Sequence, residues 1–138
     1  MSTKTAQCKH QTVLLIDDNE LDNFINQKII ESVNFARDIY VNTSGTSALE
    51  FLKNINSLKV DCKDIFPQII FVDINMPIMD GFQFINDMIK FFGDELNNTK
   101  FVILTTSLNP ADKLTAEKIS PKISFLNKPL TELALESI

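Results

Sequence analysis

Five short apolar runs constrain this chain more than any other feature. They are Val13–Ile16, Ile39–Val41, Ile69–Val72, Phe101–Leu104 and Ile123–Leu126. Four of them are near-continuous, which is how strands read when both of their faces are covered, as in a parallel sheet. The second, within DIYVN, is short and flanked by polar residues, which suits an edge strand. Helical patterns fill the gaps. Leu21, Phe24, Ile25, Ile29 and Val33 step by three and four residues and predict one apolar stripe. Ala48, Phe51, Leu52 and Ile55 make a second, and Phe82, Ile85, Met88, Ile89 and Phe92 a third that Gly93 ends. Asn109-Pro110 opens a fourth helix as cap and first residue, with a weak stripe of Ala111, Leu114 and Ile119. A fifth runs from near Leu130 to Ile138.

The order is therefore strand then helix, five times. Crossovers between parallel strands are right-handed, so the helices cover both faces. The expected fold is α/β: a doubly wound, five-stranded parallel sheet of the flavodoxin-like (βα)5 kind, with strand order 2-1-3-4-5. A chain of 138 residues fits one such domain, and 44% hydrophobic residues suffice for its core without disulfides or metal. With 11 Phe and no Trp, that core is expected to be rich in phenylalanine. Residues 1–11 read as a flexible polar leader and 12–138 as the domain.

Several function classes drop out on charge and composition. A net charge of -5 argues against direct nucleic-acid binding, which rests on Lys and Arg. No apolar run approaches the roughly 18 residues of a membrane span. The leader MSTKTAQCKHQ has no apolar centre to serve as a secretory signal, so the expected location is the cytoplasm. Cys8 and Cys62 show no metal-ligand or redox spacing and are expected to be free thiols. His10, the single histidine, is expected to be a solvated tail residue.

In open α/β sheets, ligands bind beyond the carboxyl ends of the strands, at the point where strand order reverses. Here those ends carry Asp17-Asp18, Asp73, Thr105-Thr106-Ser107 and Lys128-Pro129. Three carboxylates at close quarters repel, by about 4 kcal/mol for one pair at 4 Å and an effective dielectric near 20. A hard divalent cation relieves that, and Mg2+ suits a site of few carboxylates and a carbonyl. Lys128 partly neutralises the cluster and can hold an anion, to which the Thr105 hydroxyl can donate. Carboxylate, metal, lysine and hydroxyl together suit phosphoryl transfer, in which an aspartate can be the covalent acceptor.

With those residues in place, the chain resembles the receiver domain of two-component response regulators, from about Thr12 to its end. VLLIDDNELD resembles that family's first strand and acidic pair, and FVDINMPIMDG its phosphoacceptor strand and turn. VILTTS resembles the strand ending in the switch hydroxyl, and SFLNKP the last strand with its aromatic and lysine. The resemblance implies Asp73 as phosphoacceptor, Asp18 as direct magnesium ligand and Asp17 as a ligand acting through water. It implies the Asn75 backbone carbonyl as the third protein ligand, Lys128 on the phosphoryl group, Thr105 as the hydroxyl that moves toward it, and Phe125 as the aromatic that turns in. The donor would be a histidine kinase or histidine phosphotransfer protein. The switched surface would be the face of helix four, strand five and helix five, and an output protein of unknown identity would bind there. A monomer or a phosphorylation-dependent dimer is implied, with no external substrate turned over. No output domain lies within these residues, so a stand-alone receiver is expected.

The chain departs from the family's pattern in several places, among them a slightly long Asp73–Thr105 gap and ISPKIS where a Gly usually precedes strand five. Phe125 lacks the hydroxyl of the commoner tyrosine, so its signal would be carried by packing. Thr106 stands where many relatives have a smaller residue. The last helix is short. Asp80-Gly81 reads as turn chemistry, with Gly81 expected to supply a backbone angle that other residues resist. The rival function is a receiver-like interaction module that is not phosphorylated. A haloacid-type hydrolase would need Asp-x-Asp, and Asp73-Ile74-Asn75 stands instead.

Overall fold

Every apolar run forms a strand, and polar residues at its ends extend most of them. The computed structural model describes residues 10–58 and 66–138. The strands are β1 (His10–Ile16), β2 (Ala36–Asn42), β3 (Ile69–Val72), β4 (Lys100–Thr105) and β5 (Ser124–Asn127). The helices are α1 (Glu20–Ser32), α2 (Gly45–Ser57), α3 (Gly81–Phe92), α4 (Pro110–Ile119) and α5 (Glu132–Glu136), with a 3-10 turn at Gly93–Leu96. The sheet order is β2-β1-β3-β4-β5 and each pairing is parallel. That is the expected topology, with β2 at an edge.

The strands alternate despite their continuous hydrophobicity, because successive side chains point to opposite faces. Leu14, Ile16, Ile70, Val72 and Ile103 pack against Ala48 and Leu52 of α2 and against Phe84, Ile85, Met88 and Phe92 of α3. Val13, Leu15, Phe71, Val102 and Leu104 pack on the other side with Ile30, Phe35, Leu130 and Leu135. Both faces are covered, which is why no polar alternation marks these strands.

Each helix starts on a side-chain cap that satisfies an otherwise unpaired backbone N–H. The caps are Asn19, Ser44, Asp80, Asn109 and Thr131. Asp80 and Gln83 form a reciprocal capping box. Gly93, at φ 55°, ends α3 as expected, and Pro110 occupies the first turn of α4.

Five readings need correction. In α1 the buried residues are Asn23, Asn26 and Ile30, while Leu21 is 65% and Phe24 57% exposed. Only the lower part of the expected stripe, Ile29 and Val33, lies against the core. The helix is turned so that its first turn serves polar contacts at the sheet's carboxyl edge. In α3, Phe84 is buried and Ile89 exposed, and in α4 the buried residue is Ala116 rather than Leu114. His10 is not a solvated tail residue: it begins β1, its N–H donates to the Phe35 carbonyl at 2.9 Å, and its ring lies 4.7 Å from that of Phe35.

The fifth correction concerns Gly81. The positive φ of the Met-Pro turn falls on Ile78, at 71°, not on Gly81. Gly81 is required by close approach instead: a Cβ there would sit 2.5 Å from the Asp73 carbonyl oxygen. Its own N–H donates to the Ile74 carbonyl at 2.9 Å, so α3 starts directly against the backbone that carries Asp73. Cys8 and Cys62 lie outside the described residues. Among those described, no helix is long and apolar enough to cross a membrane.

Candidate functional site

Register brings the site together. Ile16 pairs with Val72, and Val72 with Ile103. Asp17 and Asp73 follow paired residues on adjacent strands and so emerge side by side. The Asp73 N–H donates to the Ile16 carbonyl at 3.0 Å, which extends the ladder one step beyond the strand. On the other side Thr105 pairs with Asn127, and the Lys128 N–H donates to the Thr105 carbonyl at 2.8 Å. β5 thus delivers Lys128 to the same edge from two strands away.

The Lys128 ammonium is the hub. Its Nζ lies 2.5 Å from Asp17 Oδ2, 2.8 Å from Asp22 Oδ2 and 3.7 Å from Asp73 Oδ1. Its side chain is only 11% exposed. Asp17 is 4% and Asp73 8% exposed, while Asp18 faces solvent. The other Asp17 oxygen accepts the Asn19 N–H at 2.9 Å, and the Asp17 carbonyl accepts from Asn23 Nδ2 at 2.8 Å.

Burial sets the charge states. It pushes the Asp73 carboxyl up from 3.8 to about 6, and the neighbouring charge of Asp17 adds to the rise. Lys128 and the Ile74 N–H pull the other way without cancelling it. Burial alone would lower the Lys128 ammonium, but hydrogen bonds to Asp17 and Asp22 outweigh that and hold it well above the ordinary lysine range.

Carboxylate oxygens of Asp17, Asp18 and Asp73 lie within 4.8 Å of one another. Such a set of hard oxygen donors, crowded at like charge, fits a small divalent cation. Asn75 is exposed in the following turn, and its backbone carbonyl is the further candidate ligand. Among the described residues it takes none of that turn's backbone hydrogen bonds, which go to the carbonyls of Ile74 and Pro77. Asp17 fits less freely than Asp18, because Lys128 and Asn19 already occupy its oxygens.

Thr105 is fully buried, and its Oγ1 accepts the Ser107 N–H at 3.1 Å. Phe125 pairs with Ile103 across the sheet and is half-buried against the cluster that includes α2, α3 and Ala116 of α4. Thr106 points to solvent beside the site. Sequence reasoning missed Asp22, Asn23 and Asn26. One signal was available for Asp22: it lies four residues after Asp18 across the start of a helix.

A family model described as the response regulator receiver domain matches residues 13–138. The sensor histidine kinase CheAY of Helicobacter pylori is 29% identical over 117 residues, 85% of this chain, which spans only 13% of that kinase's length. Among solved structures, a two-component response regulator from Cytophaga hutchinsonii is 32% identical with a TM-score of 0.83, covering 95% of this chain and 94% of that one. A two-component response regulator from Legionella pneumophila is 25% identical with a TM-score of 0.73, covering 91% and 92%.

Proposed function

Because this chain belongs to the response regulator receiver family of two-component signalling, we propose that Asp73 is its phosphoacceptor. The donor is a phosphohistidine on a kinase or phosphotransfer protein. An Asp73 carboxylate oxygen bonds to phosphorus as the donor's N–P bond breaks, and the electron pair returns to the imidazole. The observation that carries this reading is the convergence of Asp17, Asp73 and Lys128 from three strand ends within one ion-paired cluster.

The residues divide the work. Asp73 supplies the nucleophile, fixed by its ladder hydrogen bond to Ile16. Lys128, pinned beside it, offers a charge-assisted hydrogen bond to the incoming phosphoryl oxygens. Asp18, Asp73 and the Asn75 carbonyl would hold Mg2+ directly, with Asp17 acting through water. Bound magnesium would offset the charge of the carboxylates and of the phosphoryl oxygens. Thr105 would leave the Ser107 N–H to donate to the phosphoryl group, and Phe125 would move into the space it leaves. The resulting shift between two packings of the α4–β5–α5 face would be read by an output protein. The chain acts on its own aspartate and turns over no external substrate.

Incubation with acetyl phosphate and Mg2+ should add the mass of one phosphoryl group, and Asp73→Asn should abolish the gain. An inert wild type, with phosphorylated histidine phosphotransfer proteins failing as donors too, would leave a receiver-like interaction module instead.

A further inference from the structure

We propose that Asp22 is a positioning residue that gives the Lys128 ammonium a charged partner outside the cation's carboxylates, so that Asp17 can turn to a cation. The inference rests on the phosphoacceptor reading above and assigns a part to a residue outside its acid cluster.

An ammonium has three N–H donors. Two are engaged here, by Asp17 Oδ2 at 2.5 Å and Asp22 Oδ2 at 2.8 Å, while Asp73 at 3.7 Å is beyond hydrogen-bond reach. Asp17 and Asp73 both belong to the oxygen cluster that fits a divalent cation, and Asp22 does not. Lys128 and the cation therefore draw on the same two carboxylates, and Asp22 is the partner they do not share. It is fixed in place: its N–H donates to the capping Asn19 Oδ1 at 3.0 Å, and the next residue, Asn23, grips the Asp17 carbonyl. With Asp22 ionised, Asp17 can turn toward a cation while Lys128 keeps a charged partner beside Asp73. Without that charge, the ammonium can pair only with Asp17 and Asp73 and competes with the cation for both.

The test is a double-mutant cycle on Mg2+ affinity, read from backbone amide shifts in a metal titration. Asp22→Asn should weaken Mg2+ binding at least threefold. In a Lys128→Met background the same substitution should have at least threefold less effect, because the competitor is gone. An equal effect in both backgrounds would mean that Asp22 acts only through its charge, and no effect in the wild type would mean that it does nothing. Either overturns the proposal. If Asp22→Asn does not fold, Asp22→Ser closes the same cycle. Labelling of the wild type by acetyl phosphate is run alongside. Its absence would sink the phosphoacceptor reading itself, whereas labelling with an additive cycle removes only the role of Asp22.

Discussion

Replacing Asp73 with asparagine should stabilise the protein in the absence of divalent cations. The native carboxyl titrates at about 6, against 3.8 without its surroundings. The sign follows from proton counting. Between pH 4 and 6 the native state keeps a proton that the unfolded chain has lost, so stability falls as pH rises through that window. Above it the whole difference is present. At about 1.4 kcal/mol per pH unit it comes to about 3 kcal/mol. Asparagine keeps the shape and carries no charge, so most of that cost should be recovered. For a chain of 138 residues, about 3 kcal/mol corresponds to a Tm rise of roughly 10 °C. Urea unfolding followed by far-UV circular dichroism, with EDTA present and at pH values from 4 to 8, gives the difference between the two proteins. The gain should be near zero at pH 4, grow through pH 5 to 6 and level off by pH 7. A gain that ignores pH, or none at pH 7, would refute the claim that the ionised Asp73 is held against its own preference.

Two further outcomes follow from the same cluster. Mg2+ should bind with a Kd on the order of 10⁻³ M because few protein ligands are available. About 10 mM Mg2+ should then stabilise the wild type by roughly 1.4 kcal/mol. Asp18→Asn should lose that gain in a thermal-shift titration, and an Asp18→Asn variant that responds like wild type would remove Asp18 from the site. Gly81→Ala should destabilise by about 1–3 kcal/mol, because its Cβ meets a backbone carbonyl and no flexible side chain can yield. Denaturant midpoints decide this, and an unchanged midpoint would mean that the start of α3 has slack.

The sheet was legible because a strand covered on both faces has little choice of residues. Ile69–Val72 has the same bounds in sequence and structure. His10 and residues 36–38 were missed as strand because terminal and edge positions tolerate polar residues, here His10, Arg37 and Asp38, while their backbone still pairs. Asp17, Asp73 and Lys128 were legible for a different reason: a charge immediately after an apolar strand has one place to go. Gly81 was singled out correctly but for the wrong cause, since close approach of two backbones leaves no mark in local sequence. Asp22, Asn23 and Asn26 were overlooked because helix orientation was inferred from apolar spacing alone.

That last miss can be put in energies. Turning Leu21, Phe24 and Ile25 fully inward would add a few kcal/mol, since complete burial of such a side chain contributes about 1.5–3 kcal/mol. The same rotation would carry Asp22 away from Lys128 and Asn23 away from the Asp17 carbonyl. Lys128 would keep Asp17, so losing Asp22, itself a third exposed, costs about 1.5–3 kcal/mol as a hydrogen bond between charged groups, and the lost hydrogen bond to the buried Asp17 carbonyl adds about 1–3 kcal/mol. The polar edge therefore offsets the apolar stripe, and the first turn of α1 is oriented by the site while Ile29, Ile30 and Val33 still meet the core. The same trade appears at Asp73, whose burial works against the charge its proposed chemistry requires. Apolar burial is given up at the first turn of α1 and stability at the end of β3, the two places where the proposed chemistry would need charge at the carboxyl edge.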